Sequence, residues 1–444
     1  MKASTSPRFA PLAVLAACAL AACAALAQSP PSAGIGPNPG LPAPQKSLLP
    51  TLSIAPAQGW PAGVTPKAPA GFKVTALASG LDHPRWIYTL PNGDVLVAES
   101  NGPAKPEGMK NVHADGLRGM VMGMVMKRAG AGAPSANRIT LLRDADGDGV
   151  AEMKTPFLTG LVSPFGMALV GNELFIANAD AIVKVPYQAG QTSISDKPVK
   201  LTDLPAGINH HWTKNIIASA DGSKLYATVG SNSNAADNGM QAEEGRAAIW
   251  EVDRATGAKR LFATGLRNPN GLGWEPQSKT LWTVVNERDE LGNDLVPDYL
   301  TSVKDGAFYG WPWSYWGQNV DIRVEPANPA MVAKAVVPDY GLGSHVAPLG
   351  LAFSDARMPA NYASGAFIGE HGSWNRKPLS GYKVVYVPFS GGKPADAPID
   401  FLTGFLSDDS KAYGRPVGVA LDGKGALLVA DDVGNVVWRV APVR

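Results

Sequence analysis

The stretch TGLVSPFGMALVGNELFIANAD (159–180) joins a Gly/Pro turn, an apolar run, a second turn, another apolar run and a polar end. Five further stretches repeat this pattern: SGLDHPRWIYTLPNGDVLVAES (79–100), INHHWTKNIIASADGSKLYATVGSN (208–232), TGLRNPNGLGWEPQSKTLWTVVNE (264–287), SHVAPLGLAFSDARMPANYASGAFIGEHG (344–372) and YGRPVGVALDGKGALLVADD (413–432). Each copy predicts a pair of short strands that cannot bury its own apolar faces. Six copies stacked radially predict an all-β, six-bladed β-propeller, whose central funnel is lined by the start of each copy.

Other apolar runs supply the remaining strands of the blades. They lie at 139–144, 181–187, 247–253, 382–389 and 436–442. Segment 71–77 (FKVTALA) is predicted to join the last blade and close the ring. Two insertions, 101–137 and 288–335, interrupt the pattern, and the first is expected to form a short helix or a loop over one face.

Composition is that of a globular protein with a large core. The chain has 444 residues, of which 45% are hydrophobic and 17% charged. A net charge of +1 gives no indication of binding to nucleic acid or to a membrane surface. Because the repeats extend over most of the chain, one closed domain is predicted over 67–444.

The first 27 residues indicate an export signal, with a basic start followed by an apolar stretch. Two kinds of processing stay open: cleavage after Ala27, or a lipoprotein box ending at Cys23 that would give a lipid anchor. Either predicts an exported, periplasmic protein. Both cysteines lie in this leader, so no disulfide is expected in the mature domain. Residues 28–66 are rich in Pro, Gly and Ala and are expected to form a disordered or extended linker.

Aligning the copies on the Gly/Pro turn places cationic residues in one register. They are Arg85, His210 with His211, Arg267 followed by Asn268, and Arg415. Since this turn leads into the innermost strand of each blade, these side chains are expected to meet near the funnel mouth. Arginine forks bind carboxylates in a bidentate manner, so the register suits an anion. Pairing of each arginine with a neighbouring acid is the alternative.

His211 is the candidate general base. A neutral imidazole can accept a hydroxyl proton, and this residue opens an inner strand at the funnel. A hydrogen-bonded turn histidine is the alternative role. His371 and Arg376, in EHGSWNR (370–376), follow the second strand of the fifth copy and are also expected near the funnel.

Two acidic segments are candidate calcium sites, because Ca²⁺ takes six to eight oxygen ligands. In 286–294 the candidates are Arg288, Asp289, Glu290 and Asp294, and a solvated acidic loop is the alternative. In 144–149 the candidates are Asp144, Asp146 and Asp148, which resemble the first half of an EF-hand loop. The twelfth position there is Thr155 rather than Glu, so a weaker calcium turn using Glu152 and a plain hairpin turn both stay open.

Several of these pieces together carry a family resemblance. They are HWTKNIIASADGSKLYATVGS (211–231), GLRNPNGLGW (265–274), NERDELGNDLVPDY (286–299), YGWP (309–312), HVAPLGLAF (345–353) and EHGSWNR (370–376). The chain resembles the superfamily of sorbosone dehydrogenases and soluble glucose (pyranose) dehydrogenases. These are six-bladed propellers that use pyrroloquinoline quinone (PQQ). The resemblance extends over about residues 70–443.

The resemblance implies roles for individual residues. His211 matches the catalytic histidine, and His210 stands where the glucose enzymes have an aspartate that orients it. Arg267, Asn268 and Arg415 match quinone-binding residues. Tyr340 matches an aromatic near the cofactor, with Gly343 at the place of a stacking Trp. His371 or Arg376 takes the place of a quinone-binding lysine, and the loop at 288–290 matches carbonyl ligands of calcium.

The resemblance also implies an activity. His211 removes a proton from a sugar hydroxyl while hydride passes to PQQ, which is activated by Ca²⁺, and Arg267 stabilises the developing charge. Arg85 joins the cofactor site through its place in the register. An external electron acceptor, a quinone or a cytochrome, reoxidises the cofactor. Two rival functions are a Ca²⁺-dependent lactonase and a non-catalytic binding propeller.

Overall fold

The computed structural model describes Met1 and residues 34–45, 52–104 and 123–443. The predicted export signal, with Cys23, lies outside the described residues. Six antiparallel sheets of four or five strands, together with one short hairpin, make up the described chain. Inner strands of successive sheets are neighbours all the way round a closed ring. The predicted six-bladed propeller is therefore confirmed.

Each of the first three blades consists of four consecutive strands. Blade 1 contains Pro84–Thr89, Val95–Glu99, Arg138–Arg143 and Met153–Leu158. Blade 2 contains Met167–Val170, Glu173–Ala177, Ala181–Pro186 and Val199–Asp203. Blade 3 contains Ile216–Ala218, Lys224–Val229, Ala248–Asp253 and Lys259–Thr264.

Blades 4 and 5 each carry an extra short strand. Blade 4 contains Asn268–Trp274, Leu281–Asn286, Pro297–Ser302 and Tyr340–Ser344, with Ile35–Gly36 at its outer edge. Blade 5 contains Pro348–Phe353, Gly365–Glu370, Lys383–Ser390 and Ile399–Leu402, with Lys393–Pro394 beside the third strand. The separate hairpin consists of Ser314–Tyr315 and Asn319–Val320. Short helices in the described residues include Lys127–Ala131, Met240–Glu243, Pro329–Val332 and Ala360–Tyr362.

Blade 6 closes the ring with strands from both ends of the domain. Pro416–Leu421, Leu427–Asp431 and Val436–Pro442 come from the C-terminal part, and Phe72–Ser79 supplies the outer strand. Antiparallel pairing runs from Phe72 opposite Pro442 to Ser79 opposite Val436. The closing strand predicted at 71–77 is thus present and extends two residues further.

The hydrophobic core is divided into six wedges, one between each pair of neighbouring blades. Alternation along a strand supplies two wedges at once, because successive side chains point to opposite faces. In the second strand of blade 4, Leu281 and Val285 pack toward blade 3, whereas Trp282 and Val284 pack toward blade 5. Closure of the ring leaves every sheet face covered.

The described parts of the segment expected to be a linker lie against the propeller. Trp60 packs against Phe405, Tyr413 and Trp438, and its indole nitrogen donates to Asp431. Ala55 is fully buried. Residues 52–66 therefore do not form the disordered or extended linker expected for 28–66. Packing of Trp60 against the propeller outweighs the effect of the Pro- and Ala-rich composition. Among the described residues, no helix has the length and apolarity of a membrane span.

Candidate functional site

The antiparallel pairing within each blade brings two sets of polar residues to the same end of the ring. The first strand begins where the second ends, as shown by Pro84 opposite Glu99, Asn268 opposite Asn286 and Pro416 opposite Asp431. A cavity of about 500 Å³ opens there, within the size range of small-molecule sites. The residues named from the sequence that line it are Arg85, His210, His211, Arg267, Asn268, Asp289, Glu290, His371 and Arg415.

His211 is held in one orientation by the end of the neighbouring strand. Its Nδ1 lies 2.9 Å from the carbonyl oxygen and 3.0 Å from the hydroxyl of Ser231, and that hydroxyl donates to Ser233. Both Ser231 oxygens thus accept from Nδ1–H, which leaves the Nε2 lone pair free. Gly230 permits this approach, since a Cβ there would lie 2.5 Å from that of His211. Ser231 orients the base through these two contacts, and the ring of His210 packs edge-on against that of His211.

The imidazole of His211 is neutral at physiological pH. Burial lowers its pKa well below the ordinary value of 6.5, and the charge of Arg267 acts in the same direction. The absence of a carboxylate beside Nδ1 fits this neutral state, since Ser231 offers only uncharged acceptors.

Arg267 is committed to the cavity wall. Its Nε donates to the Asn234 carbonyl, its NH1 to the Glu287 carbonyl and its NH2 to Asp289. Burial favours the neutral acid, but Arg267 and its neighbours hold the pKa of Asp289 at about 2, so this is a true ion pair. Arg267 therefore contributes mainly a fixed positive charge, because its three nitrogens already have protein acceptors.

Arg85 and Arg415 have spare hydrogen-bonding capacity. The Nε of each is buried without a partner among the described residues. The guanidinium of Arg85 lies 6.0 Å from the centre of the Phe165 ring and 5.6 Å from that of Trp212, and Arg415 lies 4.9 Å from the centre of the Tyr382 ring. Aromatic packing of this kind holds a guanidinium in place without using its donors. These two arginines are the ones that fit an anion in the cavity.

Asp432 joins three cationic or titratable groups on the same wall. Its carboxylate accepts from Arg85 NH1 and from His371 Nε2 (2.9 Å), and His83 Nε2 lies 3.6 Å away. Burial alone would raise the pKa of Asp432, but His371, His83 and Arg85 together lower it. The carboxylate therefore stays ionised and neutralises part of the charge around it.

Further cavity residues were not found from the sequence. These are His83, Asn234, Asn270, Asn286, Glu287, Asp298, His345, Trp374, Asn375 and Asp432. Glu287 and Asp432 directly follow a second strand, so the polar end of each repeat was the signal that could have found these two. His83 and His345 also have left-handed backbone angles, with φ of 57° and 61°. Strained residues of this kind concentrate at functional sites.

Seven candidate site residues named from the sequence do not line the cavity: Tyr340, Arg376, Arg288, Asp294, Asp144, Asp146 and Asp148. Tyr340 is 1% exposed in the wedge between blades 4 and 5, and its hydroxyl donates to Asp396. Arg376 pairs with Asp294 outside the cavity. Arg288 is fully buried behind the wall. Tyr340 was misplaced because it begins the fourth strand of its blade and so lies away from the axis, and Trp374 is the aromatic that the cavity contains instead.

Comparison with known proteins assigns the fold to a family. A model of the family described as TrAA12-like matches residues 137–300 and 326–442. The chain belongs to this family. A Trichoderma reesei protein of the carbohydrate-active enzyme family AA12, solved in a calcium structure, superposes with a TM-score of 0.68 at 19% identity, covering 88% of this chain and 99% of that one. The holo PQQ domain of pyranose dehydrogenase from Coprinopsis cinerea gives 0.66 at 21% identity, with 87% and 100% covered.

Sequence relatives point the same way. The PQQ-dependent pyranose dehydrogenase of Coprinopsis cinerea is 23% identical over 430 residues, which span 82% of this chain and 53% of that protein. An uncharacterised protein of Borreliella burgdorferi is 29% identical over 296 residues, spanning 63% and 76%. The chain thus matches only about half of the pyranose dehydrogenase. The resemblance to PQQ-dependent sugar dehydrogenases stated from the sequence is confirmed.

The TrAA12-like cavity fits the quinone implied by that resemblance. PQQ is a tricarboxylate, and Arg85 and Arg415 each offer an unpaired buried nitrogen. The amide oxygens of Asn268, Asn270 and Asn375 are likewise buried without a partner among the described residues. Buried polar groups are costly unless they are hydrogen-bonded, so a polar ligand is expected to satisfy them.

The loop at 288–290 does not fit the calcium implied by the same resemblance. The Asp289 carbonyl already accepts from Asn234 and from the guanidinium of Arg323. Both oxygens of the Asp289 carboxylate are also engaged, by Arg267 and Asn375. A guanidinium at the expected carbonyl ligand would repel a divalent cation, so we assign no calcium-dependent step to this loop.

The second acidic segment lies at the opposite end of blade 1, in the hairpin between its third and fourth strands. Carboxylate oxygens of Asp144, Asp146, Asp148 and Glu152 lie within 4.8 Å of one another. Most of these side chains accept backbone N–H groups of the same turn, such as Asp144 from Gly147 and Gly149. The structure brings the predicted ligands together but far from the cavity, and calcium binding there stays a prediction.

Glu370, next to His371, allows a test of how burial changes the pKa of a carboxyl group. Burial raises its pKa from 4.5 to about 8, and its Oε2 has no partner among the described residues. In the unfolded state the carboxyl group of Glu370 loses its proton above its ordinary pKa, whereas in the folded state it keeps the proton. The free energy of unfolding therefore falls as pH rises from about 5 to 8. We expect Glu370→Gln to remove this dependence, and the variant should gain about 3 kcal/mol relative to wild type between pH 5 and 7.5.

Urea unfolding at several pH values measures this difference. Exposed Glu325 provides the control, since Glu325→Gln is expected to run parallel to wild type. Parallel curves for Glu370→Gln as well would contradict a neutral Glu370.

Proposed function

We propose that this protein is a PQQ-dependent dehydrogenase that oxidises a sugar, or a sugar-derived aldehyde or hemiacetal. The observation that carries the proposal is the convergence, in one cavity, of a neutral imidazole with a free Nε2 and two arginines with unpaired buried donors. The pyranose dehydrogenase of Coprinopsis cinerea, one of the relatives found by sequence, is PQQ-dependent, which supports the same function.

His211 is the proton acceptor in this proposal. Ser231 fixes Nδ1–H, so Nε2 can take the proton of a substrate hydroxyl as hydride leaves the same carbon. The bound quinone supplies an electrophilic carbonyl that accepts the hydride. The positive charge of Arg267, fixed by its contacts with Asn234 and Asp289, lowers the energy of negative charge developing nearby.

Arg85 and Arg415 bind the carboxylates of the cofactor. An apolar wall of the same cavity is formed by Ile54 and by residues of the segment 123–131, among them Met126 and Ala129. The Ala57 amide donates to the Arg128 carbonyl and ties the two segments together. This wall restricts water around the reacting atoms, which strengthens the electrostatic interactions there.

The decisive experiment is reconstitution. Purified apoprotein is incubated with PQQ, with and without Ca²⁺, and sugar-dependent reduction of an artificial dye is measured over a panel of aldoses, pyranoses and sorbosone-like aldehydes. Dye reduction that requires PQQ supports the proposal. Release of acid from lactones without dye reduction would favour the lactonase. If neither dye reduction nor acid release is seen, with or without PQQ, a binding propeller is favoured.

Arg415 offers a binding prediction. We expect Arg415→Gln to weaken PQQ binding by about 10- to 100-fold, the effect of losing a charged hydrogen bond of about 1.5–3 kcal/mol. Titration by fluorescence quenching measures the Kd. Arg439→Gln is the matched control, because Arg439 pairs with Asp422 near the opposite end of blade 6. An unchanged Kd for Arg415→Gln would remove Arg415 from the cofactor site.

We also propose an exported, periplasmic location and an external quinone or cytochrome as electron acceptor. The basic and apolar residues of the first 27 positions support export. Cell fractionation with an epitope at the C-terminus tests the location.

A further inference from the structure

A second imidazole in the cavity has a carboxylate partner. His371 follows the second strand of blade 5 and lines the cavity, with its side chain 20% exposed. Its Nε2 lies 2.9 Å from an oxygen of Asp432, which follows the second strand of blade 6. Because the ionised carboxylate can only accept, Nε2 carries the hydrogen and Nδ1 keeps its lone pair.

The Nδ1 of His371 is available to a group in the cavity, because no hydrogen bond to it is made within the described part of the chain. The charged groups around the ring are Asp432, Arg85 and Arg415, with His83 on the same carboxylate. Burial lowers the pKa of His371 to about 4, opposed by Asp432 and aided by Arg415 and Arg85. The ring is therefore neutral at pH 7 and able to accept a proton.

His371 and His211 differ in how a proton is accommodated. A proton on His371 forms an ion pair with Asp432, whose other carboxylate oxygen has no partner among the described residues. When His211 takes a proton at Nε2, its Nδ1–H still faces the uncharged oxygens of Ser231, and the ring lies near the positive charge of Arg267. His211 extends from the start of blade 3, whereas Asp432 belongs to blade 6 on the opposite side of the ring. The two imidazoles thus reach the cavity from different sides.

The proposed reaction requires two proton acceptors. Oxidation of a carbinol to a carbonyl releases two electrons and two protons. One proton leaves the hydroxyl and goes to His211. The other leaves the carbon with the electron pair as hydride, and it stays behind when an external electron acceptor withdraws the electrons.

We propose that His371, held by Asp432, accepts this second proton at Nδ1 when the electrons leave for a dye, quinone or cytochrome, and then passes it to solvent. This role rests on the proposed function. It is also distinct from that function, because it concerns reoxidation rather than attack on the sugar.

Half-reaction kinetics test the role. In the PQQ-loaded enzyme, stopped-flow mixing with sugar under anaerobic conditions measures reduction, and mixing of the reduced enzyme with dye measures reoxidation. We expect His371→Asn to slow reoxidation by at least about tenfold at pH 7 and to change reduction by less than about threefold. His211→Asn should show the reverse pattern, and Asp432→Asn should follow His371→Asn. Added imidazole should restore reoxidation in His371→Gly.

Other outcomes would overturn the role. Slowed reduction with normal reoxidation in His371→Asn, or a loss of PQQ affinity alone, would make His371 a substrate- or cofactor-binding residue. Histidine ¹⁵N NMR of the apoprotein needs no activity and no stable Asp432 variant. An Nε2–H tautomer for His371 supports the proposal, and an Nδ1–H tautomer contradicts it. If no sugar reduces the loaded wild-type enzyme, the proposed function fails, and the NMR result still decides whether His371 is set up as a base.

Discussion

Replacement of His211 by alanine is expected to lower turnover by at least about 100-fold, the scale of general-base catalysis. PQQ binding should change little, because His211 contributes an uncharged ring that Ser231 holds in place, whereas Arg85 and Arg415 supply the charge. Dye-coupled turnover and a fluorescence titration of PQQ on the same preparation measure the two effects separately.

The pH profile adds an independent check. Since burial lowers the pKa of His211 below 6.5, the acid limb of kcat/KM in the wild type should lie below pH 6.5. His210→Ala is the comparison, because His210 packs against the same ring but Ser231 holds its Nδ1–H, and a loss under about tenfold is expected. Near-normal turnover of His211→Ala would exclude His211 as the base.

Replacement of Arg288 by methionine is expected to lower the free energy of unfolding by about 3–5 kcal/mol, because it leaves buried carboxylates without their counter-charge. Arg288 is fully buried and bonds Glu287 at 2.9 Å and Asp321 at 3.0 Å. It also donates hydrogen bonds to the carbonyls of Pro312 and Ser314, and these bonds hold the aromatic insertion in place. Urea unfolding at pH 7 measures the change.

The chain contains a matched control for Arg288. Arg260 also bonds two acids, Glu251 and Asp305, but its side chain is 49% exposed. Arg260→Met should therefore lower the free energy of unfolding much less than Arg288→Met does. Equal losses of unfolding free energy in the two variants would show that burial does not determine how strongly the contacts of Arg288 stabilise the fold.

The repeats were sufficient to predict the propeller because each strand pair needs the next one to bury its faces. The strand predicted at 436–442 has the same bounds as the observed strand Val436–Pro442. Blade 4 was harder. Its third strand, Pro297–Ser302, lies inside the insertion at 288–335, and that strand carries no clear alternation because both of its faces are buried.

Prediction of the site was good for residues placed by the repeat and poor for those placed by three-dimensional contacts. Arg85, Arg267 and Arg415 share a register, and all three line the cavity. The sequence could not predict which of these arginines has its hydrogen-bond donors occupied within the protein. The acceptors of Arg267 come from distant loops at Asn234 and Glu287. The partner of His211 was missed because a backbone carbonyl leaves no mark in the sequence.

Ring closure by Phe72–Ser79 has a consequence for how the protein is made. This strand is synthesised before blade 1, but its partner, Val436–Pro442, is synthesised only after blade 5. Arg85 from blade 1 and Asp432 from blade 6 meet only when that pairing forms. A chain synthesised only as far as blade 5 therefore lacks part of the cavity wall, and the cavity is complete only after Val436–Pro442 has paired with Phe72–Ser79.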